Sequence, residues 1–253
     1  MRLDRHRPKT AVRLVLPTIG TLAIATHACF AQSAPGEGDL DSLLAAKDWN
    51  KLSTALSRPD RDEKKSLDWM KAKLLSGGWY LVSVLYARDL WSISTQARVD
   101  DPEKDLRLTA GMVALYSAAV ILVDGSKCDD QTAPAHRMDQ LLQARAATLT
   151  FMKQQPPATK QKAIELAVAL EAKTAAARGS DDLLCRDGMA QIRAGLERGT
   201  QHPVPTAPGA VGKSVAVEAP PDWRPTILPE QDYVPKQEAA RAKLKATLAQ
   251  FVM

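Results

Sequence analysis

The sequence predicts an all-α protein. It reads as an irregular bundle or stack of about seven helices around a central apolar helix, then a proline-rich extended segment and a C-terminal amphipathic helix. Three observations carry this. Alanine is abundant and aromatic residues make up only 5% of the chain, a composition that leans helical. Apolar residues recur at i, i+3, i+4 and i+7 in several segments, and no extended run alternates with period two. Eight of the sixteen prolines fall between residues 199 and 235, where an uninterrupted helix cannot be held.

The chain begins with a basic stretch, Arg2, Arg5, Arg7, Lys9 and Arg13, followed by an apolar run from Leu14 to Ala25 broken at Pro17. Cys29-Phe30-Ala31 then supplies a small-x-small pattern. This is the layout of a secretory signal peptide over residues 1–31, cleaved after Ala31. Retention as an anchor and lipidation of Cys29 are the competing readings. The run is short and interrupted, and Thr26-His27-Ala28 lacks the aliphatic residue a lipidation site usually wants. The expected location is the periplasm or the exterior, with no stable membrane span after cleavage.

The signal segment also accounts for the charge. The whole chain carries a formal +5, and residues 1–31 hold five of the bases and one acid, Asp4. Removing that +4 leaves +1. A nearly neutral mature chain gives no electrostatic basis for binding nucleic acid or anionic lipid.

The helical domain is expected over residues 32–198. Helices are placed at about 39–57, 61–76, 79–97, 103–123, 133–153, 158–178 and 181–198. Asp60-Arg61-Asp62-Glu63 opens the second after Pro59, in the manner of a capping box. Gly77-Gly78 separates the second from the third. Asp101-Pro102 offers an N-cap with proline at the first helical position of the fourth. That helix is apolar all round from Ala110 to Val123, so it is taken as the buried centre of the fold. At fourteen apolar residues the run is read as too short to cross a bilayer. Asp124-Gly125 ends it, with glycine free to turn left-handed. Thr132 caps the fifth helix, and Ser180-Asp181-Asp182 opens the seventh. Cys185, Gly188, Met189, Ile192 and Leu196 form the apolar face of the seventh. The extended segment covers 199–235 and the last helix 236–253, with Leu244, Leu248 and Phe251 on one face.

Two cysteines remain after cleavage, Cys128 and Cys185, and in an exported domain they are expected to pair. The bridge closes a loop of about 58 residues, which on the chain-entropy model stabilises by about 4 kcal/mol. The densest polar cluster is Asp124 to Arg137. Asp124, Asp129, Asp130, His136 and Arg137 are the candidate binding residues there, since a rigid polar loop is where sites tend to sit. Each also has a plain structural role, in capping, helix termination or surface solvation. Asp124, Asp129 and Asp130 offer oxygen ligands to a cation, but their spacing is not that of a twelve-residue calcium loop.

Catalytic inventories are thin. Only His136 and His202 remain after cleavage, which disfavours a zinc site or a Ser-His-acid triad. Asp68, Glu103, Asp139 and Glu165 are the remaining carboxylates that a paired acid mechanism could draw on. Trp49, Trp69, Trp79, Tyr80, Tyr86 and Trp91 cluster around the second and third helices, either as core or as a groove. Trp223 and Tyr233 in the extension either pin it to the body or present a partner-binding motif.

No cofactor is implied. The functional expectation is a non-enzymatic binding protein of the cell envelope, engaging a protein or envelope partner through a helical groove or the aromatic extension. Deleting residues 200–253 is then expected to remove partner binding and leave the helical body folded. The alternative is an envelope-directed hydrolase using carboxylates near the Cys128 loop.

Overall fold

The structure, a computed structural model, describes residues 37–77, 79–96, 105–179, 181–206 and 212–253. The expected signal segment and the expected Asp101-Pro102 cap lie outside the described residues. Within them the fold is all-α, with ten helices and one two-stranded sheet. The helices are α1 (Glu37–Ala45), α2 (Trp49–Ala55), α3 (Glu63–Leu75), α4 (Tyr80–Gln96), α5 (Leu106–Asp124), α6 (Thr132–Ala144), α7 (Ala146–Lys153), α8 (Pro157–Thr174), α9 (Met189–Arg198) and α10 (Glu230–Val252). Strands β1 (Thr200–Val204) and β2 (Ser214–Glu218) pair antiparallel between α9 and α10.

Helix α5 is the centre. Val113, Leu115, Tyr116, Ala119, Val120 and Val123 are all buried, and α4, α6, α7, α8 and α10 pack around it. Its length differs from the sequence reading. With the following 3-10 turn it runs from Leu106 to Lys127, long and apolar enough to cross a membrane by length and composition. Length therefore does not separate the two possibilities, but burial distinguishes them here: 67% of its most apolar window is inside the protein.

Several boundaries follow local chemistry that periodicity does not report. Lys47 adopts φ 54° and splits the first expected helix. Asp48 then caps α2 by accepting from the Lys51 amide at 3.2 Å. The cap of α3 is Asp62, which accepts from the Lys65 amide at 3.0 Å, two residues beyond the expected Asp60. Helix α5 opens on Asp105, which accepts from the Arg107 amide at 2.9 Å. Gly125 is right-handed, with φ −58°, and leads into a 3-10 turn instead of a left-handed stop. The expected fifth helix breaks at Arg145 into α6 and α7.

The expected seventh helix is in fact a 3-10 turn over Asp182–Cys185, a left-handed Asp187, and then α9. Cys185 thus lies in that turn, not on the face of α9. It is joined to Cys128, with 5.2 Å between the two Cα atoms.

The proline-rich stretch is not uniformly extended. Ser214-Val215-Ala216-Val217-Glu218 alternates with period two and pairs with Thr200–Val204, contrary to the reading that no run alternates. Pro203 is tolerated because both strands of a two-stranded sheet are edges. Helix α10 begins at Glu230, six residues earlier than expected, with Pro235 inside it. Pro229 precedes the first turn, and Glu230 and Asp232 favour the positive end of the helix dipole. Pro235 loses one main-chain bond but is exposed and still in the second turn.

Helix α10 belongs to the core. Leu244, Leu248 and Val252 are buried against α5, α7 and α8. Deleting residues 200–253 would therefore remove part of the core, and the expectation that the helical body survives this is not supported by the packing.

A buried charge network joins α10 to α5 and α8. The Arg178 guanidinium donates to Asp124 at 2.6 Å, to Glu171 at 2.5 Å and to the Thr174 hydroxyl at 2.7 Å. Gln237 of α10 donates to the other Asp124 oxygen at 3.0 Å, and Arg241 reaches Glu171 at 3.1 Å. Lys127 lies 3.3 Å from Asp124. Burial alone would disfavour the charged guanidinium of Arg178, but Asp124, Tyr116 and Glu171 outweigh it and raise its pKa.

Candidate functional site

The structure disperses the acids of the Asp124–Arg137 segment. Asp124 turns inward and is consumed by Arg178, Gln237 and Lys127. Asp129 is exposed, and its amide donates to the Thr226 carbonyl at 3.1 Å. Asp130 accepts from the amide and hydroxyl of Thr132 at 3.0 and 2.6 Å, and from the Ala190 amide at 2.7 Å. Burial opposes ionisation of Asp130, but these bonds from Thr132 and Ala190 prevail and hold its carboxyl below the ordinary range.

The Thr132 hydroxyl in turn accepts from the Met189 amide at 2.8 Å. Asp130 and Thr132 together satisfy two of the first amides of α9, a cap delivered from a distant part of the sequence. Thr132 was expected to cap its own helix; it is instead the first residue of α6, its amide donates to Asp130, and its hydroxyl serves α9.

Arg137 braces the same region. It donates to the Leu183 carbonyl at 3.2 Å and to Asp187 at 2.5 Å. His136 is exposed and within 2.9 Å of the Gln140 amide. The bridge from Cys128 to Cys185 completes the attachment. The loop singled out by its polarity is thus a mount that fixes residues 182–190 and sets the direction of α9.

The acids do not converge in a cavity. A hollow of about 300 Å³ lies beside the loop, with apolar walls that include Leu122, Pro134 and Met138. Ser126 and Gln131 are polar members of its lining, which contains no carboxylate or imidazole. Asp68 is held by Lys64 at 2.7 Å and Glu165 by Gln161 and Lys245. Glu103 lies outside the described residues. Among the described residues no group of three or more His, Cys, Asp or Glu side chains could hold a metal ion.

The aromatic cluster is mostly core. Trp49, Trp69, Tyr80 and Tyr86 are buried. The indole N–H groups of Trp49 and Trp69 donate to Asp182 at 3.1 Å and to Asp41 at 2.9 Å. Trp223 is half-buried in a turn, its amide donating to Pro220 at 2.9 Å. Tyr233 is half-buried with the Lys127 ammonium 5.8 Å from its ring centre. The extension is pinned between these two residues. Leu228 donates to the Lys127 carbonyl at 2.8 Å, and Ile227 pairs with Cys128.

What the mount presents is α9 and the hairpin. The only buried α9 residue is Gly195, which packs against Val217 of β2. Any side chain at Gly199 would overlap the Glu218 carbonyl, so the helix–sheet approach requires glycine there. The neighbouring stripe, Met189, Ile192 and Leu196, is 55%, 40% and 52% exposed. Val215 follows the same face of β2 as Val217 and is also exposed, since alternate strand residues share a face. The periodicity of α9 was correctly read as amphipathic, but its apolar stripe faces out. The signal that marks the packed stripe is the Gly195–Gly199 spacing.

No protein-family model, curated protein or solved structure matches this chain.

Proposed function

We propose that this chain is an exported, non-enzymatic binding protein of the cell envelope that engages a partner protein through α9 and the β1–β2 hairpin. The observation that carries the reading is the exposed stripe Met189, Ile192 and Leu196 on a helix rigidly held from behind. Contiguous exposed apolar surface on a well-ordered element marks interaction sites. The mount is costly in sequence terms: a disulfide holds the buried Cys185, and a two-residue cap and an Arg–Asp pair reach the exposed residues Asp187, Met189 and Ala190 that follow it.

Export is supported by the basic and apolar layout of residues 1–31 and by the Cys128–Cys185 bridge, which persists in oxidising compartments. The dispersal of Asp124, Asp129 and Asp130 removes the motive for the hydrolase reading.

The test is the double substitution Ile192→Glu, Leu196→Glu in the full chain. It is expected to leave unfolding unchanged, because neither side chain is buried, and to abolish co-purification of envelope proteins with the wild-type chain. Co-purification that survives both substitutions would place the partner surface elsewhere.

A further inference from the structure

The hairpin has one open edge, and its ladder shows which residues face it. Strands β1 and β2 pair antiparallel, with Thr200 opposite Glu218, His202 opposite Ala216, Pro203 opposite Val215 and Val204 opposite Ser214. In such a ladder every second pair exchanges both main-chain bonds, and the pairs between them turn their N–H and C=O groups away from the partner strand. Pro203 sets the phase, because it has no N–H to give to Val215. The bonded pairs are therefore Thr200–Glu218, His202–Ala216 and Val204–Ser214. Two contacts agree. The Glu218 carbonyl lies against Gly199, on the β1 side. The Ser214 amide donates to the Thr206 hydroxyl at 3.3 Å, also on the β1 side.

Val215 and Val217 consequently present their main-chain groups outward. The elements that pack on β2 are β1 and α9, and α9 lies on the sheet face that carries the Val217 side chain. Among the described residues no main-chain bond from outside the ladder reaches Val215 or Val217. Val215 is 45% exposed and Ala216 is exposed. Open edges are usually blunted by proline, charge or a bulge. The β1 edge has Pro203, whereas Val215-Ala216-Val217 has none of these.

We propose that a second copy of this chain occupies the edge, paired antiparallel through β2 about a two-fold axis at Ala216. The edge is complementary to itself in that register. Val215 of each copy meets Val217 of the other, so the outward N–H and C=O groups of both residues are satisfied. Ala216 meets Ala216 between these bonded pairs, where side chains come closest, and a methyl group fits there. The valines pair across the strands on one face, and Ser214 meets Glu218 of the other copy on the opposite face, hydroxyl to carboxylate. Charge selects the same direction. Lys213 precedes β2 and Glu218 ends it, so antiparallel pairing sets each Lys213 beside the other copy's Glu218, while parallel pairing would align like charges. The contact is isologous, and because Pro203 blunts the β1 edge the assembly closes at two copies. The joined sheet also gains support that a lone hairpin lacks. This inference goes beyond the α9 reading and does not rest on it, since the edge binds main chain and the stripe is a side-chain surface.

The experiment measures the mass of the purified full chain by sedimentation over a range of concentrations. The wild type is expected to pass from one copy to two as concentration rises. Val215→Pro removes an outward N–H and no bond of the β1–β2 ladder, so it is expected to remain a single copy with the wild-type circular dichroism. Ala216→Cys gives a positive readout that does not depend on that variant. Its two sulfurs meet across the axis within disulfide range, and oxidation with diamide is expected to yield a covalent dimer on a non-reducing gel. Ser214→Cys, which would face Glu218, is expected not to crosslink. Ile192→Glu with Leu196→Glu is expected to dimerise as the wild type does, which separates this interface from the α9 surface. A wild type that stays a single copy at every concentration, undiminished dimerisation of Val215→Pro, crosslinking of Ser214→Cys as readily as Ala216→Cys, or loss of the dimer in the α9 double variant overturns the proposal.

Discussion

Arg178→Met offers the sharpest test of what holds the helical body together. Arg178 is 7% exposed and bridges Asp124, Glu171 and Thr174, three side chains with at most 4% exposure. Methionine fills much of the same volume without the charge, so the packing change is small. What is lost is the cation shared by two buried carboxylates. Removing one partner of a buried ion pair costs about 3–5 kcal/mol, because the charges left behind are uncompensated. Gln237, Lys127 and Arg241 still reach those carboxylates, which places the expected loss near the lower figure, about 3 kcal/mol. With a urea dependence of about 2 kcal/mol per molar, the midpoint should fall by about 1.5 M. Urea unfolding followed by helical circular dichroism reads this directly. Arg241→Gln is the internal comparison: its side chain is 35% exposed, and the loss should stay under about 1 kcal/mol. If Arg178→Met shifts stability by less than Arg241→Gln, the network does not anchor α8 and α10 to α5.

Three further outcomes follow from the same geometry. Replacing both Cys128 and Cys185 by serine should cost up to about 4 kcal/mol on the loop-entropy model, and alkylation of the native protein followed by mass spectrometry should label neither thiol. Removing α10 by stopping the chain after Pro229 should abolish cooperative unfolding; Leu248→Ala, the milder probe, should cost about 2–5 kcal/mol because Leu248 is fully buried. Asp181 predicts a pH dependence. It is buried, it accepts from the Tyr80 and Leu183 amides, and burial pushes its carboxyl up to about 6, with Asp182 and Asp124 adding to the shift. The folded pKa lies above the unfolded one, so its contribution is fully present below about pH 4 and is lost as the pH rises through about 6. The stability of wild type relative to Asp181→Asn should therefore fall by about 3 kcal/mol between pH 4 and pH 7. A difference that stays constant over that range would show that Asp181 is not the group responsible.

The all-α class, the buried central helix and the cysteine pair were legible because each rests on local pattern. Ala110 to Val123 is apolar on every face, and Cys128 and Cys185 are the two cysteines outside residues 1–31. The breaks at Lys47, Arg145 and Asp187 were not legible, because the apolar period continues across them and the interruption lies in the backbone. The hairpin was hidden because its five-residue strands sit among prolines, though Val215 and Val217 do alternate. The candidate site failed for a different reason. Polar density around Asp124–Arg137 was real, but density alone does not say which way each carboxylate faces. Asp124 was drawn inward by Arg178, fifty-four residues away, and Asp130 was drawn to the amide of Ala190, sixty residues away. Those partners are fixed by tertiary approach. The Met189–Leu196 stripe was recognised as the apolar face of its helix, and periodicity alone does not tell whether such a face is buried or exposed. Arg145 stands inside the expected fifth helix, where an arginine reads as solvent-facing, and its burial is not legible there.

The most direct measurement of the proposed role is site-specific photo-crosslinking in intact cells. A photoreactive residue is placed at Leu196 in the α9 stripe and, separately, at Leu166, which is comparably exposed at 45% but lines a groove between α5 and α8. The α9 surface predicts a discrete adduct of defined mass from position 196 that disappears when Ile192→Glu is added, with none from position 166. An adduct from position 166 and none from 196 would contradict it.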